Sequence, residues 1–229
     1  MKKVAALLLV TVMTAYFAGI APARAYSEQQ ELVDKAIISI EKITRREDIK
    51  NYVRKYLKEA KGVVIFPALL KAGFFVGGEG GSGVLLARGE SGQWSYPAFY
   101  TMGAASIGLQ FGGQVSETML IIMTAKGLNS IIENKVTLGG ELSAAVGPYG
   151  VGVKGATSTA LGADVITYSI GKGAFIGGAL EGAVIEKRDK LNEGYYGDSK
   201  ATPRAIVLEG RYRNPNADRL RETLANVPE

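Results

Sequence analysis

The sequence predicts an α+β fold: a strongly curved antiparallel β-sheet body, barrel-like or sandwich-like, with N-terminal amphipathic helices and a C-terminal helix. Three observations predict it. Apolar residues recur at helical spacing between Ser27 and Leu57; from Val63 short apolar or alternating runs are cut by glycine; and the tail from Pro215 returns to helical spacing. The 30 glycines in 229 residues are nearly twice the usual share of about 7%. Glycine at that density permits bulged or sharply coiled strands, which the curvature requires.

Met1-Lys2-Lys3 is a positively charged start, Val4 to Ile20 an apolar stretch, and Ala23-Arg24-Ala25 a small-residue cleavage site behind the helix-breaking Pro22. The pattern reads as a secretory signal peptide over residues 1–25, cut after Ala25, followed by one domain over 26–229. The competing reading is an uncleaved anchor, because the apolar run is near the lower length limit for spanning a bilayer, but Pro22 followed by Ala23-Arg24-Ala25 favours cleavage. The expected location is therefore periplasmic or secreted. Loss of Lys2, Lys3 and Arg24 lowers the net charge from +5 to +2, so the remaining chain is not the generally basic kind that binds nucleic acid.

Ser27 is placed to cap a first helix, with Gln30 reaching back as in a capping box, and Leu32, Val33, Ala36, Ile37, Ile40 and Ile43 form its apolar stripe to about Thr44. Ile49, Tyr52, Val53, Tyr56 and Leu57 mark a second helix that Gly62 ends. In the β region, Glu90-Ser91-Gly92-Gln93 reads as a hairpin turn between Val84–Arg88 and a strand from Trp94, and the pairs Gly77-Gly78 and Gly112-Gly113 suit bulges. Thr124 is a cap for a short helix through Ile132, Glu186 to Asn192 reads as a polar helix, and Pro215 opens a final docked helix with Leu220 and Leu224 four residues apart. No fixed-period repeat or low-complexity tract divides the chain.

Composition removes most chemistries. With no histidine and no cysteine, Ser-His-Asp and Cys-His catalysis, thiol redox work, haem ligation and nearly all zinc and transition-metal sites are excluded. Gly78-Glu79-Gly80-Gly81-Ser82-Gly83 satisfies the G-x-G-x-x-G spacing, but it leads into the strand-like Val84-Leu85-Leu86 where a dinucleotide site needs a helix start. Glu79, Glu117, Glu141, Asp164 and Glu181 could supply a glycosidase-like carboxylate pair only if the fold brought two together. Tyr168-Ser169 with Lys172 superficially resembles a Ser-Lys arrangement, but Gly171 and Gly173 flank the lysine and read as a turn or glycine-rich strand, and Trp94, Tyr96, Phe99 and Tyr100 read as core in preference to an apolar ligand site. No enzyme and no cofactor is expected.

The positive charge is local. Between positions 42 and 61, Lys42, Arg45, Arg46, Lys50, Arg54, Lys55, Lys58 and Lys61 face only Glu47, Asp48 and Glu59, a net of +5. Each basic side chain near an anionic lipid surface contributes about 1 kcal/mol, so the segment is sufficient to hold a domain on a membrane at low salt. The competing reading is a solvated helix face.

Several separated blocks resemble one family. Lys61 to Pro67 (KGVVIFP), Lys71-Ala72-Gly73-Phe74, Gly77 to Leu86 (GGEGGSGVLL) and Trp94 to Phe99 (WSYPAF) are similar to the opening of the SYLF domain, also called the Ysc84 actin-binding domain. Val136 to Gly140 (VTLGG), Gly147-Pro148-Tyr149-Gly150, Tyr168-Ser169, Gly173-Ala174-Phe175, Leu180-Glu181-Gly182 and Tyr195-Tyr196-Gly197 continue the pattern in order. The resemblance implies a lipid-binding domain that prefers acidic lipids, assisted by an amphipathic N-terminal helix. It points to non-enzymatic binding of anionic phospholipid at a membrane through Arg45, Arg46, Lys50, Arg54, Lys55, Lys58 and Lys61. Eukaryotic members bind phosphoinositides, and some bind actin; a secreted bacterial-type protein meets neither, so no actin is expected. The alternative is a structural or protein-interaction module of the cell envelope, with envelope proteins as partners. A membrane β-barrel fits the alternating strands but not the helical ends.

Overall fold

The computed structural model describes residues 27–73, 76–107, 114–148, 162–171, 174–175 and 180–227. The expected signal peptide, Gly112-Gly113 and Lys172 lie outside the described residues.

Local chemistry starts the first two helices. The Ser27 hydroxyl accepts a hydrogen bond from the Gln30 amide at 3.1 Å, and helix α1 runs Glu28–Arg45 with the six stripe residues buried. The Gln30 side chain does not turn back onto Ser27 as a capping box would. It donates to Asp34 and to the Asn216 carbonyl and accepts from the Tyr195 hydroxyl, tying the first helix to the C-terminal segment. Helix α2, Lys50–Glu59, follows after a short turn.

Strands β1 (Gly62–Gly73), β2 (Val76–Ala87), β3 (Ala98–Ile107) and β4 (Gln114–Ile122) form the long central part of the sheet. Helix α3 (Ala125–Glu133) follows, capped by the Thr124 hydroxyl at 2.9 Å from the Gly127 amide. Short strands β5 (Val136–Thr137), β6 (Ala144–Val146), β7 (Val165–Gly171), β8 (Ala174–Phe175) and β9 (Val184–Lys187) complete it. Helices α4 (Asp189–Tyr196), α5 (Pro203–Val207) and α6 (Asp218–Ala225) end the chain, the last preceded by a 3-10 turn at Pro215–Ala217. The strand order is β5-β9-β3-β2-β1-β4-β7-β6 with β8 on β7, antiparallel except for β6 beside β7. The sheet is strongly curved and part-barrel, flanked by the N-terminal and C-terminal helices.

Both faces of the central strands are covered, and strand alternation divides their side chains between two cores. Val63, Ile65, Val84, Leu86, Met119, Ile121 and Ile166 face α1, α2 and α6; Val64, Phe66, Leu85, Ala87, Leu120, Ile122 and Val165 face α3 and α5. That double cover is why Val63 to Phe66 and Met119 to Ile122 are unbroken apolar runs.

Three local expectations are corrected. The register shift falls between Ile65 and Leu70 of β1, at Pro67, and not at Gly77-Gly78, which pair regularly with β1 and β3. Proline has no amide to give to a ladder, so the irregularity forms there. Beyond it, Leu70 and Val115, paired across β1 and β4, are both more than half exposed, at 55% and 51%. Glu186 and Lys187 belong to β9 because Val184 and Ile185 pair with Gly103 and Met102, so the helix begins only at Asp189. The Glu90–Gln93 turn forms with Gly92 at φ 81°, but the strand expected from Trp94 is a single bridge to Arg88, and β3 starts at Ala98.

Candidate functional site

The basic segment occupies the end of α1, the turn after it, and α2. Arg45 is exposed, 3.7 Å from Glu41. Arg46 grips Asp48 with two parallel hydrogen bonds of 2.7 and 2.9 Å, which hold the Asp48 carboxyl below its ordinary pKa. Lys50 pairs with Glu47 at 2.6 Å and Lys42 with Glu117 at 2.6 Å. Arg45, Arg46 and Lys50 are thus partly neutralised in place.

The remaining four lie on and just after α2. Arg54 and Lys58 are one helical turn apart, Lys55 sits beside them and Lys61 follows the helix; Lys55, Lys58 and Lys61 are exposed. Among the described residues, no carboxylate stands within ion-pair distance of Arg54, Lys55 or Lys61. The helix carries them because its opposite stripe, Val53 and Leu57, is buried in the first core.

Arg54 and Lys58 also line a cleft of about 180 Å³ between α2, the turn after β2, and α6. Sequence reasoning missed its third cation, Arg88. That guanidinium donates from Nη1 to the Leu57 and Lys58 carbonyls at 3.0 and 2.5 Å, and from Nε to the Gly92 carbonyl at 3.3 Å. It therefore caps the end of α2 and lies 5.8 Å from the centre of the Trp94 ring. Leu57, Trp94, Leu224 and Val227 supply the apolar wall. The only sequence signal for Arg88 was a lone basic residue between an apolar strand and a glycine turn, and nothing there shows that it reaches a helix thirty positions earlier.

The other singled-out residues serve the fold. Phe99 and Tyr100 are fully buried, and Trp94 is 5% exposed. The Tyr96 hydroxyl donates to Asp218 at 2.6 Å, Arg221 lies 4.3 Å over the Tyr96 ring, and its Nε donates to the Trp94 carbonyl at 2.8 Å. These contacts dock α6. Glycines of the G-x-G-x-x-G string lie inside β2; a Cβ on Gly81 or Gly83 would strike the β1 backbone at Ala68 or Ile65. Glu79 lies near the Ser116 hydroxyl, Glu117 holds Lys42, Glu141 accepts from the Thr137 amide, Asp164 accepts from Thr124 and Ser143, and Glu181 packs its methylene stem on Gly139. The Ser169 hydroxyl is bonded to that of Thr118 at 2.7 Å.

Comparison with known proteins supplies the family. Residues 103–227 match the family described as "Ysc84: Las17-binding protein actin regulator". The chain is 38% identical over 164 residues to LAS seventeen-binding protein 3 of Saccharomyces cerevisiae, covering 70% of this chain and 35% of that protein. It is 37% identical to Protein YSC84 of the same yeast over 164 residues, 70% of this chain and 34% of that protein. Against SH3 domain-containing YSC84-like protein 1 of Xenopus laevis it is 31% identical over 174 residues, 76% of this chain and 52% of that protein. The chain thus spans about a third of the yeast relatives' length and about half of the frog protein's.

These matches overturn four expectations. The relatives belong to yeast and frog, organisms with no bacterial periplasm or cell envelope, so the periplasmic or secreted location and the envelope-module alternative do not stand, nor does the signal-peptide reading tied to them. The exclusion of actin falls with them, because the matched family is described as an actin regulator. The chain is not an enzyme: its candidate acids are engaged in the fold, and the matched family is described as a binding protein and actin regulator. With a family match over more than half of its length and relatives above 30% identity, the chain belongs to the SYLF/Ysc84 family of Las17-binding protein actin regulators.

Proposed function

We propose that residues 26–229 act as one non-enzymatic domain that binds anionic phospholipid at a membrane surface, with Arg54, Lys55, Lys58 and Lys61 as the principal contacts and Arg45, Arg46 and Lys50 at the margin. The observation that carries this reading is that a row of side chains, Arg54 and Lys55 on α2 and Lys61 just after it, has no carboxylate within ion-pair distance among the described residues, while Arg45, Arg46 and Lys50 are met by Glu41, Asp48 and Glu47. Desolvating an ion pair to reach lipid costs more than presenting an uncompensated charge, so the row dominates. Sedimentation with phosphatidylcholine vesicles, with and without phosphatidylserine, tests it. The protein should pellet only with the anionic vesicles and should be released by salt. Replacing Arg54, Lys55 and Lys58 together by Gln should weaken binding by up to about 3 kcal/mol with little change in stability. A triple variant that pellets like the parent sinks this assignment.

A second reading is favoured by the family description: direct contact with actin, or with a Las17-like partner, through the same row. Co-sedimentation of parent and triple variant with actin filaments tests it. Filament binding lost in the triple variant supports a shared surface, and no filament binding by the parent removes the reading.

A further inference from the structure

We infer that the cleft between α2 and α6 is a phosphate-binding site, formed by Arg54, Lys58 and Arg88 over a Trp94 floor. The inference deepens the membrane reading, on which its lipid form rests, by assigning a headgroup-sized pocket within a diffuse basic row. Three features separate this cleft from an ordinary charged surface. The Arg54 Nε is buried and has no hydrogen-bond partner, an unmet donor whose desolvation is costly unless an acceptor meets it. Arg88 is fixed by three backbone carbonyls and by Trp94, so its placement costs little further entropy on binding; among the described residues its Nη2 has no acceptor. No carboxylate lines the cleft among the described residues.

The chemistry selects the ligand class. Two guanidinium groups and an ammonium converging on one small space suit a compact polyanion with several acceptor oxygens, and planar guanidinium groups match phosphate oxygens in pairs. The C-terminal end of α2 would repel an anion, but Arg88 is bonded to two of its last carbonyls and offsets that field. A phosphomonoester, carrying close to two negative charges at neutral pH, fits better than a phosphodiester with one. Its source is either a lipid headgroup or a soluble phosphorylated molecule.

Trp94 is the only tryptophan, so its emission reports on the cleft directly. Pyrophosphate added to the full chain should change that emission saturably, and Arg54→Gln should weaken the response at least about tenfold. Lys190→Gln, on the exposed side of α4, should respond like the parent. Melting followed by circular dichroism checks that Arg54→Gln folds, and Lys58→Gln, at an exposed position, provides an independent variant. Vesicles containing phosphatidic acid should bind more tightly than vesicles of matched charge containing phosphatidylglycerol, and Arg54→Gln should abolish the difference. If pyrophosphate binds but the two vesicle types are indistinguishable, the site stands and its source is soluble. If pyrophosphate leaves Trp94 unchanged while anionic vesicles still bind, the site is overturned and the membrane reading survives. Pyrophosphate binding by a parent that ignores vesicles would have the opposite meaning: the site holds and the membrane reading falls.

Discussion

Asp164, at the threshold of β7, shares its carboxylate between two elements. Oδ1 accepts from the Thr124 hydroxyl at 2.6 Å, and Oδ2 accepts from the Ser143 hydroxyl at 2.8 Å and the Ser143 amide at 3.2 Å. Burial alone raises its pKa, but these donors, with Lys126 nearby, bring it below the ordinary carboxylate value. A depressed folded-state pKa means stabilisation that is complete above the unfolded value, near pH ~4, and lost as pH falls through the folded value. Asp164→Asn should therefore cost about 1–3 kcal/mol near neutral pH, and urea midpoints of parent and variant should converge as pH falls below the ordinary carboxylate range. Gly83 tests close approach instead of charge. A methyl group there would meet the Ile65 carbonyl and the Phe66 ring, so Gly83→Ala should lower stability by about 1–3 kcal/mol, read by urea unfolding. The caps at Ser27 and Thr124 were legible because their partners lie three residues away. Asp164 looked like one isolated acid because Ser143 and Thr124 approach it only through the fold.

Docking of α6 rests on a small polar lock above the first core. Arg221 lies on the Tyr96 ring, donates to the Trp94 carbonyl and bonds Asp218, while Leu220 and Leu224 are buried beneath it. Arg221→Ala should remove a cation–π contact and a carbonyl partner together, costing about 2 kcal/mol, with a lowered Tm and a red-shifted Trp94 emission as its readout. An unchanged emission maximum would mean that the lock does not position α6. Helices α1, α2 and α6 were readable from stripes of period 3.6, since one face of each meets one core. The bulge in β1 and the late start of α4 were not, because they depend on which strand lies alongside: Pro67 opposite β2 and β4, and Val184 opposite Gly103.

At the level of the whole molecule, one sheet carries two cores on opposite faces of the same strands. Val64 cannot lose its neighbours without disturbing Val63 and Ile65, which belong to the other side. Unfolding in urea should therefore be a single transition, with Trp94 emission and far-ultraviolet circular dichroism superimposing; separate midpoints would mean that the faces unfold independently. The fold class was visible in the sequence because doubly covered strands give unbroken apolar runs bounded by glycine. The cleft was not, since Arg54, the Arg88–Trp94 turn and Leu224 come from three separated stretches, and of its cations only those on α2 stood out as charge.

The contact between Gln30 and the Asn216 carbonyl, with the shared core of α1 and α6 behind it, has a consequence for synthesis. About 180 residues separate the end of α1 from the end of α6. At roughly 5–20 residues per second, a ribosome takes on the order of ten to forty seconds to cover that distance. Throughout that interval the stripe from Leu32 to Ile43 has emerged without its final cover, so a nascent chain stalled short of Leu220 presents a greasy helix to whatever chaperone or neighbouring chain is closest.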